Sequence, residues 1–188
     1  MVIQHCVGSE VENLLYVADL ENGRIQVFNA MDGNHIRYIG EGEGEGPGQL
    51  NCPCGITALL EGEGGISELF VADSNNDCVS VFDMSTGAFK RHIGHGHGED
   101  AGEMNYPYGV VLSLTGVDSQ AGHHLLYVSE CENNRIQIFD ATTGVHVGFL
   151  GEGELSYPYG LRLHAGTDGR SLLFVTDVDN KRVVVYEV

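Results

Sequence analysis

The stretch LLYVSECENNRIQIFDATTG, residues 125–144, is written in variant form four times along this chain. An aromatic, a valine, a small residue and an acid open the copies at Tyr16–Asp19, Phe70–Asp73, Tyr127–Glu130 and Phe174–Asp177. An asparagine follows at Asn22, Asn76, Asn133 and Asn180, and two positions later stands Arg24, Arg135 or Arg182, with Cys78 as the exception. Each copy closes on an alternating apolar run ending in Phe28, Phe82, Phe139 or Tyr186. The aromatic anchors lie 54, 57 and 47 residues apart, the spacing of a repeat architecture.

Around these anchors the same parts recur in order. A short apolar run (Val2 and Ile3, Ile56 to Ala58, Val110 to Leu112, Leu161 to Leu163) precedes each copy, and a run such as Asn34–Ile39 or Val145–Leu150 follows it. The runs are short, alternate with period two, are rich in Val, Ile, Phe and Tyr, and are bounded by Gly, Asn and Asp. They therefore predict strands, and no stretch predicts a helix. Four short antiparallel strands per repeat are the pattern of a β-propeller blade. The expected fold is all-β, a single domain with blades at approximately 1–40, 54–94, 108–151 and 159–188, the last lacking its outermost strand.

The copies VADLENGRIQVF, VADSNNDCVSVF, VSECENNRIQIF and VTDVDNKRVVVY resemble the second and third strands of NHL repeats. The segments around Pro53–Gly55, Pro107–Gly109 and Pro158–Gly160 resemble the approach to the next innermost strand in that family. The resemblance covers essentially the whole chain. It implies a propeller with more blades than these, so the sequence is expected to be a piece of a longer protein or an arc that self-associates through its open edges, with a closed four-blade ring as the third reading. In each repeat the acid and the later arginine flank a tight turn, where a charge-assisted hydrogen bond clamps it: Asp19 with Arg24, Glu130 with Arg135, Asp177 with Arg182. Cys78 leaves Asp73 without that partner.

Composition narrows the function. With 27 acidic and nine basic residues the net charge is −18, which argues against a nucleic-acid partner, since phosphate binding needs a basic footprint. It favours a cationic one: a basic peptide, a basic protein surface or a divalent metal. No apolar run approaches the roughly 20 residues of a membrane helix, and the start has no signal-peptide pattern. The five cysteines show no paired spacing, so a reducing, cytoplasmic setting is expected.

Sixteen of the 27 acids fall in two sets of loops that share one end of a propeller. The expected binding face comprises Glu21, Asp77, Glu132 and Asp179 in the turns, joined by Tyr106, Tyr108, Tyr157 and Tyr159 around the Pro-x-Gly segments. The tyrosines suit a wedge between blades better than a binding anchor. Candidate metal ligands are Glu41, Glu43 and Glu45 of GEGEGEGPG for calcium, and His95 and His97 with Glu99 of GHGHGED for zinc, although neither loop matches an established signature. Flexible acidic loops are the plainer reading. His5 and His164 stand at equivalent places late in the innermost strand, where peptide-amidating lyases, which resemble this repeat family, use channel histidines with zinc. No G-x-S-x-G elbow or G-x-G-x-x-G frame occurs.

The expectation is thus a non-catalytic binding module or scaffold that presents an acidic loop face to a protein or peptide, without a cofactor. The alternatives are a metal-dependent lyase or hydrolase working at the channel, and an inactive piece of a larger NHL protein such as a ubiquitin ligase.

Overall fold

The computed structural model describes residues 2–7, 12–60, 67–113, 124–166 and 170–188, with side chains from residue 14 onward. Its strands form four antiparallel meanders. The first comprises β1 (Val2–Val7), β2 (Glu12–Asp19), β3 (Arg24–Asn29) and β4 (His35–Ile39). The second comprises β5 (Pro53–Leu60), β6 (Ser67–Asp73), β7 (Cys78–Asp83) and β8 (Phe89–Ile93). The third comprises β9 (Pro107–Ser113), β10 (Leu125–Glu130), β11 (Arg135–Asp140) and β12 (His146–Leu150). The fourth has three strands, β13 (Pro158–Ala165), β14 (Ser171–Asp177) and β15 (Arg182–Glu187). Two single 3-10 turns, Leu20–Asn22 and Ser74–Asn76, are the only helical segments among the described residues.

Strand pairing puts the acid of each repeat directly opposite the arginine position: Asp19 faces Arg24, Asp73 faces Cys78, Glu130 faces Arg135 and Asp177 faces Arg182. The register follows from the alternation, because a one-residue slip would turn every apolar side chain to the other face. The core consists of three inter-blade layers. Ile25 and Val27 pack with Ile56, Leu69 and Val71; Val79 and Val81 pack with Val110, Leu126 and Val128; Ile136 packs with Leu161, Leu173 and Val175. One blade cannot cover its own faces, and its neighbour does so. In β15 the equivalent positions are Val183 and Val185, which are 59% and 48% exposed. That is the open end of the arc.

Each blade-to-blade loop adds an apolar plug, Leu50, Met104 or Leu155, buried between the sheets it joins. At the rim, Arg37 of β4 donates to the carbonyls of Met84 and Ser85 in the second blade. Arg91 of β8 donates to the Ala141 carbonyl of the third blade at 2.8 Å, and makes a two-pronged pair with the buried Glu68 at 2.8 Å on each prong.

The turn after β7 gives a pH prediction. The Ser85 hydroxyl and the Thr86 amide and hydroxyl donate to Asp83, which lowers its carboxyl from 3.8 to about 2. A depressed folded-state value contributes stability that is present above 3.8 and lost as pH falls through about 2. Asp83→Asn is expected to flatten that part of the acid limb, read as urea midpoints across the window. An unchanged limb would remove Asp83 from the account.

Candidate functional site

One end of the arc carries both the turns between second and third strands and the blade-to-blade loops, tied together by hydrogen bonds. The clamp acid of one blade accepts from the backbone N–H at the start of its own innermost strand: Asn51 to Asp73 at 2.7 Å, Asn105 to Glu130 at 3.2 Å, Ser156 to Asp177 at 2.7 Å. The asparagine of the motif reaches both its own acid and the preceding loop. Asn76 Nδ2 donates to Asp73 and the Gly44 carbonyl, and Asn133 Nδ2 to Glu130 and the Gly98 carbonyl.

Arginine Nε meets the acid at 2.9 Å in Asp19–Arg24, 2.7 Å in Glu130–Arg135 and 2.6 Å in Asp177–Arg182. Two of these arginines also lie over a ring on the fourth strand, Arg24 at 4.1 Å from Tyr38 and Arg135 at 4.0 Å from Phe149. The Asn22 amide, Arg24 and Gln26 hold the Asp19 carboxyl below its usual range despite some burial. Burial pushes Asp177 up, but the Ser156 amide, Arg182 and Asn180 outweigh it and the net direction is down. For Glu130 burial prevails over Arg135 and the carboxyl is raised.

In the second blade Asp73 has no guanidinium. It accepts instead from Asn51 N, Asn76 Nδ2 and Ser80 Oγ, and burial raises its carboxyl. Cys78 is buried, its thiol pushed up to about 12, and its sulfur lies 3.5 Å from His92 Nδ1. Ser80 Oγ lies 3.2 Å from the same nitrogen. An open cleft of about 470 Å³ lies against Cys78 and His92.

Of the expected face, Glu21, Glu132 and Asp179 are exposed, while Asp77 is half-buried and engaged by the Tyr106 amide at 2.8 Å and His97 Nδ1 at 3.1 Å. The tyrosines are half-buried. Tyr108 stacks on Tyr159 with centroids 4.2 Å apart, and Tyr157 tilts against Tyr159 at 5.2 Å. Tyr106 and Tyr157 take positive φ, 54° and 55°, as does Cys52 at 61°. Burial, with Cys52 beside it, pushes the Tyr106 hydroxyl up to about 12.

The metal candidates do not converge. Among the described residues no three of His, Cys, Asp and Glu form a set that could hold a metal ion. The glycines are the reason. Gly42 and Gly44 have φ of 93° and 156°, and the loop curls back through Glu41 N to Gly48 O and Leu50 N to Gly42 O. Glu41, Glu43 and Glu45 thus ride a closed loop with exposed side chains, not an extended ribbon with one shared face. His95 and His97 occupy the matching curl of the next loop and are exposed, as is Glu99. His164 is exposed opposite Leu172, and His5 lies opposite Leu14 with its side chain outside those described.

Sequence reasoning missed the plugs, Glu68 and the pairing of Cys78 with His92. The last was visible in principle, because His92 stands where the other four-stranded copies have Tyr38 and Phe149.

Stacked four-stranded meanders joined through their faces are β-propeller blades, and this chain is a partial propeller. In sequence it resembles NHL repeat-containing protein 2 of Bos taurus, at 26% identity over 221 residues, covering 96% of this chain and 30% of that protein. No family model matches the chain. Similar solved structures include a chain of Kuenenia stuttgartiensis hydrazine synthase (TM-score 0.57, 16% identity, 97% of this chain and 47% of that one). A chain from BBS1N in complex with ARL6DN gives 0.64 at 14% identity, covering all of this chain and 56% of that one. Dihydro-heme d1 dehydrogenase NirN in complex with DHE gives 0.57 at 11% identity, covering all of this chain and 38% of that one. These likenesses are of fold. The chain spans less than two thirds of the length of each of these four proteins.

Proposed function

We propose that this chain works by binding rather than by catalysis, with its acidic end receiving a basic protein or peptide. The supporting observation is a division of labour among the carboxylates. Asp19, Glu130 and Asp177 are consumed in clamps, whereas Glu21, Glu41, Glu43, Glu45, Glu132 and Asp179 stand exposed on the same end. A one-sign field of this kind steers a cationic partner and sets its rate of encounter. The buried thiols support the binding reading: Cys78 is held protonated, and Cys131 is raised further by burial, the opposite of an activated nucleophile. Free Cys52, Cys54, Cys78 and Cys131 suit a reducing cytoplasm. No helix among the described residues is long and apolar enough to cross a membrane.

A labelled Lys/Arg-rich peptide is expected to bind, with affinity that falls as salt rises. Reversing Glu21, Glu132 and Asp179 together to Lys removes three favourable rim interactions of up to about 1 kcal/mol each and should weaken binding about tenfold or more. Anisotropy at two ionic strengths measures both effects. Equal binding by the reversed variant, or by an acidic peptide of the same length, would sink the proposal.

A further inference from the structure

The second blade departs from its sisters at two positions at once. Across β7 and β8 Ser80 pairs with His92, as Gln26 pairs with Tyr38 and Gln137 with Phe149 in the blades on either side. Cys78 therefore replaces Arg24 and Arg135, and His92 replaces the rings those arginines cover. A cysteine side chain is far shorter than an arginine, so the volume a guanidinium fills in the sister blades is left open. The cleft of about 470 Å³ is in that place, walled by Cys78, His92, Asn76, Asp77 and Glu45.

The anion that the missing cation would face is still there. Asp73 is fully buried, opposite Cys78 in the hairpin, and its three donors, Asn51 N, Asn76 Nδ2 and Ser80 Oγ, are all neutral. Two further carboxylates, Asp77 and Glu45, stand at the wall of the cleft. His92 is exposed beside it and presents a flat ring for stacking. Partial desolvation lowers the affinity of His92 for a proton, and a neutral imidazole can take a cation on its face. A planar cation with several donors satisfies this set of ring and carboxylates better than an ammonium point charge.

We propose that the cleft of the second blade is a receptor for a guanidinium group, supplied by an arginine side chain of the bound protein or peptide. The source of the arginine rests on the binding reading above; the cleft itself does not. In the complex the incoming guanidinium lies over His92 as Arg24 lies over Tyr38, meets the carboxylates of Asp77 and Glu45 at the cleft wall, and anchors an otherwise diffuse electrostatic contact at one blade.

The test is a titration of the ring resonances of His92 with N-acetyl-arginine amide, and with N-acetyl-lysine amide as the comparison. The arginine compound is expected to give a saturable shift, and the lysine compound to bind at least about tenfold more weakly. Cys78→Arg supplies a resident guanidinium and should abolish the response. If that variant does not fold, Cys78→Met fills the cleft with a neutral chain and carries the same expectation. No saturable shift at His92, or a filled-cleft variant that still titrates like the native protein, overturns the proposal. Two peptides, one basic through Arg and one through Lys, separate this idea from the wider one. If both bind equally and Cys78→Arg changes neither, the acidic face stands and the cleft assignment falls. If the arginine amide saturates His92 while neither peptide binds, the cleft takes a small guanidinium solute and the peptide source is overturned.

Discussion

Gly109→Ala is expected to destabilise the arc by about 3 kcal/mol, whereas Gly160→Ala should stay within about 0.5 kcal/mol of the native protein. Both glycines close a Pro-x-Gly segment at the start of an innermost strand, so their local chemistry is the same. Their surroundings differ. A Cβ on Gly109 would lie 2.3 Å from the Tyr159 carbonyl oxygen and 2.9 Å from Ser129 Oγ. The same atom on Gly55 would lie 2.3 Å from the Tyr108 carbonyl oxygen. The two carbonyl contacts are with backbone of the next blade, and β5, β9 and β13 cannot give way without parting the blades. On Gly160 the nearest atom is Thr176 Oγ1 at 3.4 Å, an ordinary contact, because no further blade is beside β13 in the arc. Urea midpoints of the three alanine variants measure the contrast. A harmless Gly109→Ala would show that the innermost strands tolerate separation. A Gly160→Ala as damaging as Gly109→Ala would show that another sheet covers β13 in solution. Val183 and Val185 make that a concrete possibility, since their equivalents in the other blades are the residues the next blade covers. The solution mass, measured by light scattering, would then show self-association that Gly160→Ala reduces.

The blades were legible because two signals agree in every copy: period-two alternation, and turn residues at fixed offsets from the aromatic anchor. Tyr16, Phe70 and Tyr127 are buried where that alternation places them. Phe174 is only half-buried, because its blade is the last of the arc. The plugs were not legible. Leu50, Met104 and Leu155 sit in Gly- and Glu-rich loops with no periodicity, and only the stacking of blades gives them something to pack against. The curl of the acidic loops was not legible either. Alternating Gly and Glu looks like an extended ribbon with all carboxylates on one side, yet glycine permits the positive φ that curls the chain. Glu68 carries no signal in the sequence that sets it apart from a solvated strand residue. It is 4% exposed because Lys90 and Arg91 of the same sheet reach across to it. The second-blade cleft was half legible: Cys78 stands out as the break in the motif, and pairing shows that His92 replaces the ring the arginine would cover.

Arg135→Met is expected to cost about 3–5 kcal/mol at neutral pH, because it strips the cation from a buried pair and leaves the anion in place. Glu130 is fully buried and Arg135 is 5% exposed. The carboxylate would keep the Asn133 amide at 2.7 Å, the Gln137 amide at 3.1 Å and the Asn105 N–H at 3.2 Å, but no positive charge. Arg182→Met should cost much less, because that side chain is 46% exposed and water can take its place. The pH dependence separates lost charge from lost packing. The Glu130 carboxyl is already raised above 4.5 by burial, and losing Arg135 raises it further. A raised folded-state value for an acid means that the folded protein holds the proton more tightly, so stability falls as pH climbs from 4.5 through the folded value. The deficit of Arg135→Met should accordingly shrink toward acid pH, where Glu130 is neutral. It should also be partly relieved at neutral pH by adding Glu130→Gln, with a coupling of about 0.5–3 kcal/mol between the two sites. A deficit independent of pH would assign the arginine's worth to its packing on Phe149 instead. The second blade is the natural precedent for the relieved state. There the arginine is absent, a serine hydroxyl takes up one carboxylate oxygen, and burial raises the carboxyl. The fold can therefore do without the cation at one clamp when the anion's surroundings change with it, and Arg135→Met alone makes no such change.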